Sequence, residues 1–265
     1  MSAHRSDSKP APGFPPPASS CPQVTLSEHE GVLYLHLGTE WIQGAMRLSQ
    51  PDVIEIEYVQ QMMMWLLFER QPRHVVQLGL GAGALTRFCH RRLPDTRVTA
   101  VELNPQVIRI CRSTFALPPD DARLSVLQMD ALDFVADPAN HAAADVLQVD
   151  LYDAAARAPV LDTPEFYRAC ADCLTENGML TANLFGDQVN YGKSLRALED
   201  AFDAVAWLPV VHDANVVAIA FKRAPAIDFA TLYRRAAAIR RALNLPAQTW
   251  VDGLKRWMRQ DEEAG

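Results

Sequence analysis

The 265-residue sequence has no uninterrupted apolar run near the roughly 20 residues needed to span a bilayer, and its N-terminus has no apolar segment of the signal-peptide kind. Neither a membrane role nor export is expected, and the cytoplasm is the expected compartment. Excess basic charge is also missing: 25 Lys and Arg stand against 32 Asp and Glu, a formal net charge of -7. Nucleic acid is therefore not expected as an obligatory partner, because neutralising phosphates needs clustered cations. Cationic ligands suit this balance better. The cysteines are few, odd in number and scattered, five in all. They supply neither a disulfide framework nor a full zinc set, and the lone pair Cys170-x-x-Cys173 lies in a helix-patterned segment. No metal is expected.

Hydrophobic residues make up 49% of the chain, enough for one domain of about 200 residues or more with a sizeable core and a small appendage. Residues 1–22 carry six prolines and almost nothing to bury, so they read as a disordered tail. Residues 23–50 hold short alternations, V-T-L and V-L-Y-L-H-L, punctuated by Gly31 and Gly38, which fit a small β hairpin or meander. In the run from Glu57 to Phe68, Tyr58, Met62, Trp65 and Leu66 recur at helical spacing, and a helix is expected there.

From Arg73 onward strand and helix patterns alternate. Strands are expected at 74–78, 97–101, 124–128, 146–149 and 179–184, and a closing hairpin at 204–211 and 216–221. Helices are expected at 82–91, 105–115, 164–174 and 193–202, the third closed by a turn at Asn177-Gly178. This order predicts an α/β domain over residues 51–223, with a mostly parallel sheet, helices on both faces and a terminal antiparallel hairpin. Residues 224–265 form a helical extension. Its stripe of Phe229, Leu232, Ala236, Ile239 and Leu243, continued by Trp250, Leu254 and Trp257, suits docking on the domain or a homodimer contact better than a membrane.

In such a sheet ligands bind beyond the carboxyl ends of the strands. The first turn there is Gly79-Leu80-Gly81-Ala82-Gly83, which lets backbone approach a ligand at a helix N-terminus. Alone this is weak, since a tight turn needs glycine too. Glu102 closes the second strand, 19 residues past Gly83, where a carboxylate can accept both ribose hydroxyls. Asp130 follows the third strand and Asp150 the fourth. Three strands ending in acids point to a nucleoside site. The spacing Gly79-x-Gly81-x-x-Ala84 with Glu102 also meets a minimal dinucleotide fingerprint, but nothing later offers a hydride-transfer site with a positioned His and Arg. His36, His74, His90 and His212 are isolated, and each reads as a hydrogen-bonded or surface residue. In D-V-L-Q-V-D-L-Y-D, Asp150 and Asp153 stand three apart past an apolar strand, a pair able to hold an ammonium group and take its proton.

The ordered runs V-V-Q-L-G-L-G-A-G-A-L, V-E-L-N-P-Q-V, Q-M-D-A-L-D-F, A-D-V-L-Q-V-D-L-Y-D and T-P-E-F-Y-R-A-C-A-D-C-L-T-E-N-G-M-L resemble the polyamine aminopropyltransferases, the spermidine synthase family. The resemblance spans about residues 40–222. It implies a class I methyltransferase-like Rossmann fold, preceded by a shortened version of the family's N-terminal β domain. It also implies decarboxylated S-adenosylmethionine as co-substrate and a small amine as acceptor.

By position, the resemblance gives Glu102 to the ribose, Asp130 with Ala131 to the adenine, and Gly79, Gly81 and Gly83 to the backbone-facing side of the cofactor. Gln43 matches a glutamine lying against the cofactor. Gln60, with Tyr58 beside it, matches the amine-binding segment. Asp150 and Asp153 match a D-x-x-D pair in which the first acid receives the amine proton, and Tyr152 between them lines the pocket. The chain departs from the family at Ala82, where members carry an acid that anchors the donor's ammonium, and at Val59, where a tyrosine is usual. Three readings follow: aminopropyl transfer, methyl transfer from intact S-adenosylmethionine, and a non-catalytic nucleoside-binding relative.

Overall fold

The computed structural model describes residues 21–152, 161–185, 188–208 and 215–264. The disordered-tail expectation, apart from residues 21 and 22, therefore lies outside the described residues, as do Asp153, His212 and most of the link between the last two strands.

The first element is a three-stranded antiparallel meander, β1 (Val24–His29), β2 (Val32–Leu37) and β3 (Ile42–Arg47). His29 pairs with Val32, which leaves Glu30 and Gly31 as a two-residue loop with φ of 49° and 73°. Two successive positive φ values give the turn whose twist matches that of the flanking strands.

The helix expected from Glu57 to Phe68 is instead two short pieces, α1 (Glu57–Gln61) and a 3-10 turn at Met64–Leu67. The reason is burial on every side: Met62 through Leu67 are all 3% exposed or less, so this run has no solvent face. At the break, the Met62 carbonyl accepts from the side chains of Gln148 and Thr181.

The main sheet has seven strands: β4 (His74–Leu78), β5 (Arg97–Glu102), β6 (Leu124–Gln128), β7 (Ala144–Val149), β8 (Leu174–Phe185), β9 (Ala204–Trp207) and β10 (Asn215–Phe221). Their spatial order is β6-β5-β4-β7-β8-β10-β9. The first five in that order are parallel, whereas β10 runs antiparallel to both its neighbours. The chain builds outward from β4 to β6 and then returns to β7 on the other side. That reversal opens a crevice at the carboxyl ends of β4 and β7.

Helices α2 (Ala84–Arg92), α3 (Pro105–Ser113) and α5 (Pro164–Cys173) fall close to the expected spans, whereas α6 (Gln188–Glu199) begins and ends earlier than the expected 193–202. A further helix, α4 (Ala131–Ala136), was not foreseen, being only six residues long and opened by the Asp130 cap. The expected turn at Asn177-Gly178 is a bulge: Ala144 and Val146 of β7 face Leu174 and Met179, so β8 fits a five-residue step against two. Strand β8 thus starts directly after α5.

The C-terminal helices α7 (Phe229–Leu243) and α8 (Ala247–Ala264) cover one face of the sheet. Leu232, Ala236, Ile239, Trp250 and Leu254 are buried in one cluster with Met62 to Leu67 and β10, and Trp257 meets Trp207 edge to face. Arg235 donates to the Leu67 carbonyl at 2.7 Å, which satisfies the end of the 3-10 turn. Among the described residues no helix is long and apolar enough to cross a membrane.

Candidate functional site

The glycine turn lies at the crevice and is shaped by what touches it. Gly79 (φ 95°) sits so close to the next strand that a Cβ there would be 2.2 Å from the Asp150 carbonyl oxygen. At Gly81 (φ 51°) a Cβ would be 2.8 Å from the Gln43 carbonyl. Both positions need glycine for conformation and for space. Strand β3 lies directly on the turn, since a Cβ on Gly44 would meet the Ala82 Cβ at 2.6 Å, and Ala82 is 2% exposed. Beneath it, the wholly buried Arg87 of α2 donates from Nε to the Pro51 carbonyl at 2.9 Å and from Nη1 to the Ala82 carbonyl. Burial lowers its pKa to about 10.

Glu102, at the end of β5, is tied to the same turn. Its Oε2 accepts from the Leu80 amide at 3.1 Å and its Oε1 from the Asn104 amide at 2.7 Å. Burial pushes its pKa up, against the pull of those amides. Each oxygen keeps lone-pair capacity for a further donor. Asp130 caps α4, with Oδ1 accepting from the Leu132 amide at 2.8 Å, and Ala131 beside it is buried. Gln43 lines the crevice with Gly79, Gly81 and Leu80, and its Nε2 is buried with no hydrogen-bond partner among the described residues. An unpaired buried amide is costly, so this N–H is available to an acceptor that enters the crevice.

On the other side of the turn stands Asp150. Its own amide donates to the Leu78 carbonyl at 2.9 Å, which fixes it at the crevice. Asn183 of β8 donates from Nδ2 to Asp150 Oδ1 at 2.9 Å, and Tyr58 of α1 donates its hydroxyl to Oδ2 at 3.4 Å. Asn215, at the start of β10, donates to Asn183 Oδ1 at 2.8 Å and so orients that amide. Burial raises the Asp150 pKa most strongly, and the bonds from Asn183 and Tyr58 only partly offset it. The same burial, with the Asp150 charge beside it, pushes Tyr58 well up, so its hydroxyl stays protonated and can donate.

The structure thus gathers Gln43, Tyr58, Gly79, Gly81 and Asp150 around one crevice, with Glu102 bonded to its floor and Asp130 one strand further out. Other candidates have internal partners. Gln60 donates its amide to the Ile54 carbonyl at 2.7 Å, and the Tyr152 hydroxyl donates to the Asn183 carbonyl at 2.7 Å. Gly83 (φ 71°) starts α2 against Arg87. His36, His74 and His90 each have hydrogen-bond partners away from the crevice. Cys170 and Cys173 are buried in α5, and burial pushes the Cys173 thiol up to about 11. Sequence reasoning missed Asn183 and Asn215. The signal was present as an asparagine inside the apolar run T-A-N-L-F, which has no reason to be there unless it bonds something buried.

Residues 56–204 match the family model for the spermine/spermidine synthase domain. A polyamine aminopropyltransferase of Neisseria meningitidis is 33% identical over 245 residues, covering 91% of this chain and 92% of the relative. One from Chromobacterium violaceum is 31% identical over 247 residues, covering 92% and 94%. The crystal structure of a probable spermidine synthase from Corynebacterium glutamicum superposes with a TM-score of 0.67 at 21% identity, covering 87% of this chain and 91% of that one. A match over more than half the chain, joined to identity above three in ten across nearly its whole length, leads to one conclusion: the protein is a transferase that belongs to the spermine/spermidine synthase family.

Proposed function

We propose that the protein transfers an aminopropyl group from decarboxylated S-adenosylmethionine to a small diamine such as putrescine, with Asp150 as the base. The observation that carries this reading is the Asp150 carboxylate: half-buried, held by two donors, of raised pKa and backed against the glycine turn.

The step is a displacement at the aminopropyl carbon next to sulfur. The amine nitrogen forms the new C–N bond, the C–S bond breaks, and its electron pair leaves with sulfur as a neutral thioether. The proton lost by the amine goes to Asp150. An alkylamine of pKa about 10 is almost fully protonated at pH 7, so freeing its lone pair costs roughly 4 kcal/mol. A carboxylate whose own pKa is raised by burial takes that proton more readily than an exposed one, and its charge also draws in the cation.

On the donor side, Glu102 would accept from the ribose hydroxyls, Asp130 from the adenine amino group beside Ala131, and Gln43 would offer its unpaired amide. Gly79, Gly81 and Gly83 would let the nucleoside approach the backbone. On the acceptor side, Tyr58, Gln60 through its amide oxygen, Asp153 and the ring of Tyr152 would surround the amine.

One observation favours a second reading, methyl transfer from intact S-adenosylmethionine. Ala82 brings no carboxylate to the turn, and Gly44 lies directly against it, so nothing at that position would repel a carboxylated donor. Incubation with each donor and putrescine, followed by mass spectrometry, tests both. Spermidine and methylthioadenosine are expected from the decarboxylated donor. A methylated amine formed only from the intact donor would overturn the first reading, and nucleoside binding without product from either would indicate a non-catalytic relative.

A further inference from the structure

A second polar row lies one pleat below the site. Residues two apart along a strand share a face, so Gln77, Gln148 and Thr181 lie directly beneath Gly79, Asp150 and Asn183. Register sets Gln77 opposite Gln148 and Gln148 opposite Thr181 across the central strands β4, β7 and β8. All three are at most 1% exposed. Each has partners: Thr86 of α2 donates to Gln77 Oε1 at 2.6 Å, and Gln77 Nε2 donates to Gln148 Oε1 at 3.0 Å. The row ends on one backbone atom, the Met62 carbonyl, which accepts from Gln148 Nε2 at 2.9 Å and from Thr181 Oγ1 at 3.1 Å. Buried amides on central parallel strands cost free energy unless fully bonded, and aliphatic side chains would fill these places without that cost.

What the row holds gives it a use. Met62 is the C-cap of α1, and its amide donates to the Tyr58 carbonyl at 2.9 Å. A five-residue helix has little stability of its own, so its position is set by whatever grips it. The Tyr58 hydroxyl reaches Asp150 at 3.4 Å, the outer edge of a hydrogen bond, so a shift of a few tenths of an ångström decides whether the bond exists. At its other end the row reaches Thr86, within the helix that the glycine turn opens.

We infer that Gln77, Gln148 and Thr181 are positioning residues: they anchor α1 by the Met62 carbonyl and thereby hold the Tyr58 hydroxyl on Asp150. This rests on the reading of Asp150 as the base. The test is the pH dependence of kcat/KM for the amine in Gln148→Met, Thr181→Val, Tyr58→Phe and the Gln148→Met/Tyr58→Phe double variant, with Asp150→Asn as the control.

Loss of the Tyr58 bond removes a donor from the carboxylate, so the acid limb of the profile moves to higher pH. Gln148→Met should move it the same way and lower kcat/KM by about threefold to tenfold, Thr181→Val should do so more weakly, and the double variant should lose no more than Tyr58→Phe alone. Should Gln148→Met fail to fold, Thr181→Val, which keeps the glutamine pair, decides. The inference is overturned if both row variants lower thermal stability but leave the acid limb in place, with losses that multiply with that of Tyr58→Phe. It is also overturned if Tyr58→Phe leaves the limb unmoved while Asp150→Asn is inactive, an outcome under which Asp150 keeps its role. An active Asp150→Asn instead removes the base itself, and the inference with it.

Discussion

The glycine turn and Glu102 come from two neighbouring strands and are joined by backbone amides, whereas the Asp150 cluster draws Tyr58, Asn183 and Asn215 from three elements and is joined by side chains. The first arrangement resists substitution at the glycines, because Gly79 and Gly81 lie against main-chain atoms that cannot yield. The second is adjustable, since each donor to Asp150 can change without moving the backbone. A nucleoside that many enzymes share needs only the former. On the proposed function, choosing and deprotonating one amine needs the latter.

The sharpest way to break this contrast is to remove the proposed base alone. Asp150→Asn is expected to lower kcat by about a hundredfold to ten-thousandfold, the usual worth of a positioned base, while methylthioadenosine affinity by calorimetry stays within about tenfold. A parallel loss of nucleoside affinity would show that the two sides are not separate. The reciprocal change, Glu102→Gln, should weaken nucleoside binding by roughly 1 to 3 kcal/mol with a smaller effect on the amine KM, since it weakens a charge-assisted acceptor that also fixes the turn. Unaltered affinity in the same titration would contradict the ribose assignment.

Asn183→Leu sharpens the comparison within the acceptor side. It removes a bond that favours the charged carboxylate, so Asp150 should hold its proton to higher pH and kcat/KM at neutral pH should fall about tenfold. A pH profile that keeps its acid limb would show that Asn183 only fills space.

The smallest effect is expected far from both sides. His74 is buried between the Ala143 carbonyl and Thr99, and burial holds its pKa below the ordinary value. Because the folded pKa is depressed, this contribution to stability is complete above the unfolded value and is lost as pH falls through the folded one. The loss is at most about 1.4 kcal/mol per pH unit crossed. His74→Gln should flatten that acidic decline in melting temperature without altering turnover.

The same contrast explains what the amino-acid sequence discloses. Strand periods, the glycine run and acids at strand ends are local features, and the seven-stranded sheet, Glu102 at the turn and Asp150 at the crevice follow from them. Asn183 stood out as a polar residue in an apolar run, but its pairing with Asn215 was illegible because the two meet through antiparallel register, Phe185 opposite Asn215, which no local pattern encodes. The helix expected at 57–68 divides because its apolar residues face protein on every side, so periodicity overstated its length. In β7 and β8, Gln148 and Thr181 interrupt apolar runs, a mark visible in the sequence whose meaning appears only once Met62 lies against them.

The proton affinity of Asp150, on which the proposed amine deprotonation depends, is read directly by carbon-13 NMR of labelled aspartate. The carboxyl is predicted to titrate above the ordinary aspartate range in the wild type and higher still in Asn183→Leu. A value at or below that range, unmoved by the substitution, would contradict it.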